Sequence, residues 1–409
     1  MHNFSRKMAT PLVWKAFQLH ERLFSYMYHC PIYMDNKTRQ LTKSSSFSKN
    51  RFFYFVFIIC FYTICLNLAI FAIITETFYT PGGKNPSPFK ISIMLTILIG
   101  DIFTIGILVI HLTDVNYVPA YNQLLQLDAS MKTKFSGIVN QLKMEGGWMA
   151  KYDLNGIIVN VMVIVLAICP PFVLLFALVF KLDQVSYTVE LFLPENEENR
   201  KLVQHIILPF LFRLVVCGLV VWEGCRQLSL DLILLSTFVK TVTHCLQIIS
   251  RIQNKHQAYL TYRHLLLTCN ANETASKITF LALSSGQVAC VTLFCITVTY
   301  FKLSPSPILL IFPVFGVMSL LLMLVTLPPA IAMYETSNDI LSNWKLGVFS
   351  REKQENSIVL NLDRSLRRDA VALRHVKMSV GPVMVMKRGY EREYLSVLLD
   401  NCMSALLLF

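Results

Sequence analysis

The stretch FFYFVFIICFYTICLNLAIFAII, residues 52–74, runs for 23 residues without a charged side chain. A helix needs about 20 apolar residues to cross a hydrocarbon core ~30 Å thick, so this stretch reads as a membrane span. Working outward from it, six more stretches of comparable length follow, at 91–112, 155–180, 203–222, 278–301, 308–333 and roughly 389–409. Basic residues place their sides, because Lys and Arg gather on cytosolic loops. The segment before the first span (1–51) holds nine Lys/Arg against two acids. The loops 113–154, 223–277 and 334–388 are basic or mixed, whereas 75–90 carries two Lys and one Glu, 181–202 is acidic and 302–307 is tiny. An odd number of spans then puts the N-terminus in the cytosol and the C-terminus outside. The expected fold is an all-α membrane protein of seven transmembrane helices.

Composition agrees. Hydrophobic residues make up 54% of the 409-residue chain and charged ones 15%, with a mean hydropathy of +0.52. Soluble domains carry about 25% charged residues. The net charge of +12 lies mostly in the cytosolic loops and implies attraction to anionic membrane lipid. No basic-aromatic module points to nucleic acid. Residues 1–30 lack the apolar core of a signal peptide, so the first span is expected to direct insertion. Of eleven cysteines, Cys60, Cys65, Cys169, Cys217, Cys290, Cys295 and Cys402 fall in spans. Cys30, Cys225, Cys245 and Cys269 fall in cytosolic segments. The outer loops contain none, so no disulfides are expected, and without a CxxC pair no zinc site is expected.

Four parts follow: a cytosolic segment 1–51; spans one to six over 52–333, including a cytosolic helical extension 225–277; a cytosolic segment with an anchor helix at 334–388; and a seventh span at 389–409. Residues 13–30 interleave aromatic and polar groups at helical spacing, as in a helix lying on the inner membrane surface. Residues 37–51 read as a polar linker, 81–89 as a turn-rich connection, and Pro170-Pro171 as a kink in the third span. In 228–252, Leu234, Phe238, Val242, Cys245, Ile249 and Ile252 recur at spacings of four and three while Asp231, Lys240 and His244 lie on other faces. That pattern predicts an amphipathic helix packed on protein, not an eighth span. A second amphipathic helix is expected around Leu366, Ala370 and Leu373. The sequons at Asn3, Asn36 and Asn272 all fall on the cytosolic side and should be unused.

No HExxH, GxSxG, P-loop or GxGxxG motif occurs, so neither catalysis nor a cofactor is expected. Two ionisable residues lie deep in the spans, where burial of a charge costs several kcal/mol. Asp101 and Arg213 each sit about 15 Å below the outer face at 1.5 Å per residue, so they can pair. The seventh span opens with KRGYERE (387–393) and carries Asn401, Ser404 and Leu408 at i, i+3 and i+7, with Asp400 beside them. Lipid would reject such a stripe. Either a helix–helix contact or a water-filled pore would accept it.

Seven spans, an inner N-terminus, cytosolic extensions after the fourth and sixth spans and an ending at the seventh resemble the arthropod gustatory and odorant receptor superfamily. Gustatory members close with Thr-Tyr, five apolar residues and Gln-Phe, with a glycine some twenty residues earlier. Here Asn401, Cys402 and Leu408 stand where Thr, Tyr and Gln are expected. The apolar run and Phe409 agree, and Gly381 serves as the upstream glycine, which marks a divergent, gustatory-receptor-like member. The resemblance implies a ligand-gated non-selective cation channel in the plasma membrane, a homotetramer or a heteromer with a related subunit. It further implies a pore lined by the last helix (Asp400, Asn401, Ser404, Leu408) and a pocket for a small organic ligand in the outer half of the bundle. On this topology that half holds Phe172, Phe176, His205, Phe210 and Phe312, and an apolar pocket of this kind suits a tastant or odorant. The alternatives are a seven-helix G-protein-coupled receptor and a small-molecule transporter. Charge sidedness and cysteine-free outer loops oppose the first. The second lacks a repeat that mirrors Pro170-Pro171.

Overall fold

The computed structural model describes residues 11–27, 32–35, 38, 40–43, 116–145, 153–179, 207–273, 276–277, 311–345 and 384–407, with shorter pieces within 56–74, 101–106 and 368–380. Described residues are mostly helical. The elements are α1 (Pro11–Leu23), β1 (Ile32–Asp35), β2 (Gln40–Lys43), α2 (Tyr117–Lys134), α3 (Ser136–Glu145), α4 (Leu154–Val179), α5 (Ile207–Ser250), α6 (Lys255–Ala271), α7 (Ile311–Lys345), β3 (Ser379–Val380), β4 (Met384–Val385) and α8 (Tyr390–Leu407). The described residues within 56–74 and 101–106 are also helical. The expected span 278–301 lies outside the described residues.

The fold is organised around α5. Its 44 residues reach about 66 Å at 1.5 Å per residue, more than twice the ~30 Å of a hydrocarbon core. Among the described residues, Asn155–Leu175 of α4 and Arg213–Ser250 of α5 are long and apolar enough to cross a membrane. Burial separates the two: 33% of the first window is buried within the protein and 78% of the second. The fourth expected span, from Ile207, and the expected extension as far as Ser250 are one unbroken helix, whose second half is protein core, and the rest of the extension is the separate α6. α1, α2, α4, α6 and α7 all pack against it.

Enclosure on every side changes the reading of 228–252. From Ser229 to Val239 every residue of α5 is buried, including Asp231 at 2% exposure. Asp231 thus does not mark a solvent face. Lys240 and His244 keep partial exposure by reaching carboxylates on other elements, Asp153 at 2.6 Å and Asp128 at 2.9 Å. Packing on protein was the expected arrangement, but the amphipathic pattern understated how completely the helix is surrounded.

Two further segments differ from expectation. α1 turns Val13, Ala16, Phe17 and His20 inward and packs on α4 and α5, so its apolar face is covered by protein rather than by the inner membrane surface. A Cβ on Gly156 would lie 2.7 Å from Leu12 Cβ, and the absence of one lets α1 approach. Asn160 secures the contact by donating from Nδ2 to the Leu12 carbonyl at 2.8 Å. Within the expected linker 37–51, Gln40–Lys43 pairs antiparallel with Ile32–Asp35 in the register Ile32↔Lys43 and Asp35↔Gln40. Asn122 of α2 grips the outer strand through both backbone groups of Leu41, at 2.9 and 2.7 Å.

After α7, Leu373 and Arg374 belong to no helix, so the expected second amphipathic helix does not extend to them. Its other residues Leu366 and Ala370 lie outside the described residues. α4 continues as a single helix through Pro170 and Pro171.

Candidate functional site

α8 begins where the chain turns at Gly389, whose φ of +99° favours a residue without a Cβ. The Gly389 carbonyl accepts from Arg392 N at 3.0 Å and Glu393 N at 3.1 Å. Arg388 N donates to Glu335 Oε1 of α7 at 2.9 Å, which ties the helix start to its neighbour. Tyr390, Tyr394 and Leu398 are buried at i, i+4 and i+8, and the two tyrosines stack with centroids 6.0 Å apart. Seven residues beyond Tyr394, almost two turns on and hence on the same face, Asn401 is exposed, as are Ser404 and Asp400. Asn401 folds its amide back onto the Val397 carbonyl at 2.7 Å. On the opposite face Leu399 and Met403 are 60% and 56% exposed. The described residues in the C-terminal half of α8 are therefore uncovered on both the polar and the apolar side of the helix. Leu408 lies outside the described residues.

The other residues singled out in the sequence are distributed as follows. Asp101 is buried at 4% exposure on a helical turn. Arg213, on α5, donates from Nη2 to the Leu178 carbonyl of α4 at 3.3 Å. Phe172 stands on α4 and is 55% exposed, in a row with Ile164, Ile168 and Leu175 that also faces outward. Phe176, Phe210 and Phe312 are carried by α4, α5 and α7, with side chains outside the described residues, and His205 is also outside them. Asn272 is 1% exposed, so burial shields its amide from an oligosaccharide.

Sequence reasoning missed a polar cluster where α5 leaves its expected span. Glu223 Oε1 accepts from Arg226 Nη2 and from Gln227 Nε2, each at 2.7 Å, and all three residues are buried to 2% exposure or less. One turn on, His20 of α1 meets Ser229 Oγ at 3.0 Å. Burial and the nearby Arg226 push the His20 imidazole down to about 3, so it is neutral at physiological pH and binds by hydrogen bonding alone. The signal was present in WEGCRQ (222–227), where polar residues at i, i+3 and i+4 share one face directly after an apolar run.

No protein-family model matches the chain, and no curated protein matches it. Its three-dimensional course does have counterparts. The insect olfactory receptor OR5 from Machilis hrabei superposes with a TM-score of 0.56 at 11% identity, covering 97% of this chain and 99% of that one. The fold is that of an insect olfactory receptor. The same OR5 in complex with eugenol gives a TM-score of 0.52 at 10% identity, covering 97% and 98%. An olfactory-receptor fold shared at such low identity is a likeness of architecture.

Proposed function

We propose that the chain is a chemosensory receptor of the plasma membrane: a ligand-gated, non-selective cation channel opened by a small organic tastant or odorant. The observation that carries this reading is the olfactory-receptor fold over 97% of the chain. The complex of the relative with eugenol supports a small organic ligand. In this reading seven spans run from a cytosolic N-terminus to an outer C-terminus. Four subunits, identical or including a related partner, bring their last helices around one axis. The exposure of both faces of α8 in its outer half supports assembly, since Leu399 and Met403 need apolar cover while Asn401 and Ser404 tolerate water. Asp400, Asn401, Ser404 and Leu408 then line the conduit, with the Asp400 charge favouring cations. The ligand pocket is assigned to the outer half of the bundle, around Phe172, Phe176, His205, Phe210 and Phe312. The lineage is divergent and gustatory-receptor-like.

Asp101 and Arg213 are proposed to act together within the spans. Asp101→Asn or Arg213→Gln alone should lower surface expression or response, and the charge swap should restore part of it. Losses that simply add in the double variant would exclude the pair.

The deciding experiment is current recording from cells that express the chain during a tastant and odorant screen. Ligand-evoked cation current that persists in excised patches is the expected result. A surface-delivered receptor that signals only through soluble second messengers, with no conductance of its own, would overturn the proposal.

A further inference from the structure

A cavity of about 340 Å³ opens where α5, α6 and α7 converge. That volume lies within the usual range for small-molecule sites, about 300–1,000 Å³. Phe238, Cys269 and Met333 form its apolar side. Across from them runs the backbone segment 374–377, which is held in place from behind. Val376 N donates to Ser337 Oγ at 2.8 Å and to the Tyr262 hydroxyl at 3.3 Å, and that hydroxyl donates to the Arg374 carbonyl at 3.0 Å. With its backbone pinned, the segment lines the cavity with Arg374, His375 and Lys377.

The polar groups of this wall are suited to a negative charge. Among the described residues that line the cavity Glu273 is the acid; it is engaged by Lys277 at 2.7 Å, which leaves the balance of that described lining positive. His375 Nδ1 is buried without a hydrogen-bond partner, while its ring rests on Tyr334 with centroids 5.6 Å apart. Burial first, and then Lys345 and Lys377, hold this imidazole below its ordinary range, as a local positive potential requires. An adjoining small cavity shares Phe238 and Ser276 with this one. It is bordered by Asn272, whose Oδ1 is likewise buried without a partner. At the larger cavity the unmet His375 Nδ1 therefore stands beside two exposed cations, Arg374 and Lys377, a set of groups that an anion can engage together.

We propose that this cavity binds a small phosphorylated anion, supplied either as a soluble molecule or as a lipid headgroup. A phosphate offers several acceptor oxygens at once and so can serve Arg374, Lys377 and His375 together, with charge-assisted hydrogen bonds to the two cations. The segment continues through β3 and β4 into α8, whose start is anchored on α7 by Arg388 and Glu335. A ligand there is therefore placed to bias α8. That consequence, and a cytosolic supply of the anion, rest on the channel reading above; binding itself does not.

The test uses full-length receptor reconstituted in phosphatidylcholine nanodiscs, with binding measured by titration and by thermal unfolding. The probes are inorganic phosphate, soluble inositol trisphosphate and nanodiscs doped with phosphatidylinositol bisphosphate. At least one phosphorylated probe should raise the unfolding midpoint, and Arg374→Gln/Lys377→Gln should weaken its binding about tenfold or more. Arg374→Lys/Lys377→Arg should retain most of the affinity. Arg263→Gln, an exposed cation of α6 away from the cavity, should change little. Binding by inositol trisphosphate would mark a soluble ligand, and a response to the doped nanodiscs alone would mark a headgroup. Failure of every probe, or equal weakening by Arg263→Gln, would overturn the site whether or not the receptor conducts.

Discussion

At the residue scale, tight contacts and buried polar groups carry the specific information. A Cβ on Gly156 would meet Asp153 Oδ2 as well as Leu12, and Asp153 is already held by Lys240 at 2.6 Å. Gly156→Ala should therefore cost about 1–3 kcal/mol through overpacking, read as a lowered unfolding midpoint. At Gly389 nothing lies within 4 Å of an added Cβ, so Gly389→Ala should cost only the left-handed backbone, about 1 kcal/mol. His20 gives a pH prediction. Its imidazole falls from 6.5 to about 3 on folding, so between those values the unfolded chain holds a proton that the folded chain refuses. Stability is then full above pH 6.5 and falls as pH drops through that window, by about 1.4 kcal/mol per pH unit. Wild-type protein should lose about 2 kcal/mol between about pH 6.5 and 5 beyond any loss seen in His20→Gln. An identical pH profile for the two proteins would refute the assignment.

At the element scale α8 is the informative helix. Tyr390, Tyr394 and Leu398 hold its inner half against the core, and the same face continues outward as Asn401. If four copies enclose a conduit, single cysteines at 401, 404 and 408 in a Cys402→Ser background should react with a hydrophilic thiol reagent and alter the open-channel current. Cysteines at 399 and 406 should be silent, because their side of the helix meets protein or lipid. Silence at all five positions would remove α8 from the pore. At this scale the sequence revealed periodicity without naming the partner. The apolar stripe of α1 is the same stripe whether lipid or protein covers it, and α4 and α5 provide the cover. The four residues of β2 are too few to show an alternation, and their strand exists because Asn122 and the paired strand complete its hydrogen bonds.

At the scale of the whole molecule, the proposed orientation rests on charge. Nine Lys/Arg precede the first expected span, and by the positive-inside rule such a segment is expected in the cytosol. An epitope inserted near residue 40 should be reached by antibody only after permeabilisation, and one fused after Phe409 should be reached on intact cells. Reversed labelling would end the channel reading and revive a G-protein-coupled one. Because Gln40–Lys43 pairs with β1, the tag belongs in the residues just beyond it, so that the hairpin is left intact.

The sequence by itself determined the helical class, the apolar lengths that a membrane demands, and the packing of 228–252 on protein. Each of these depends on composition and spacing within one stretch, and a local pattern is enough to set it. Only the tertiary structure decided that 207–250 is one helix enclosed over 229–239, that α1 docks on α4 through Gly156 and Asn160, and that Glu223, Arg226 and Gln227 stand one turn from His20. It likewise brought Tyr262, Ser337 and the 374–377 segment together around one cavity. These groups are separated by tens to hundreds of residues, and the burial that joins them records only that a face is shielded from water. Which face shields which is settled by how the helices fit.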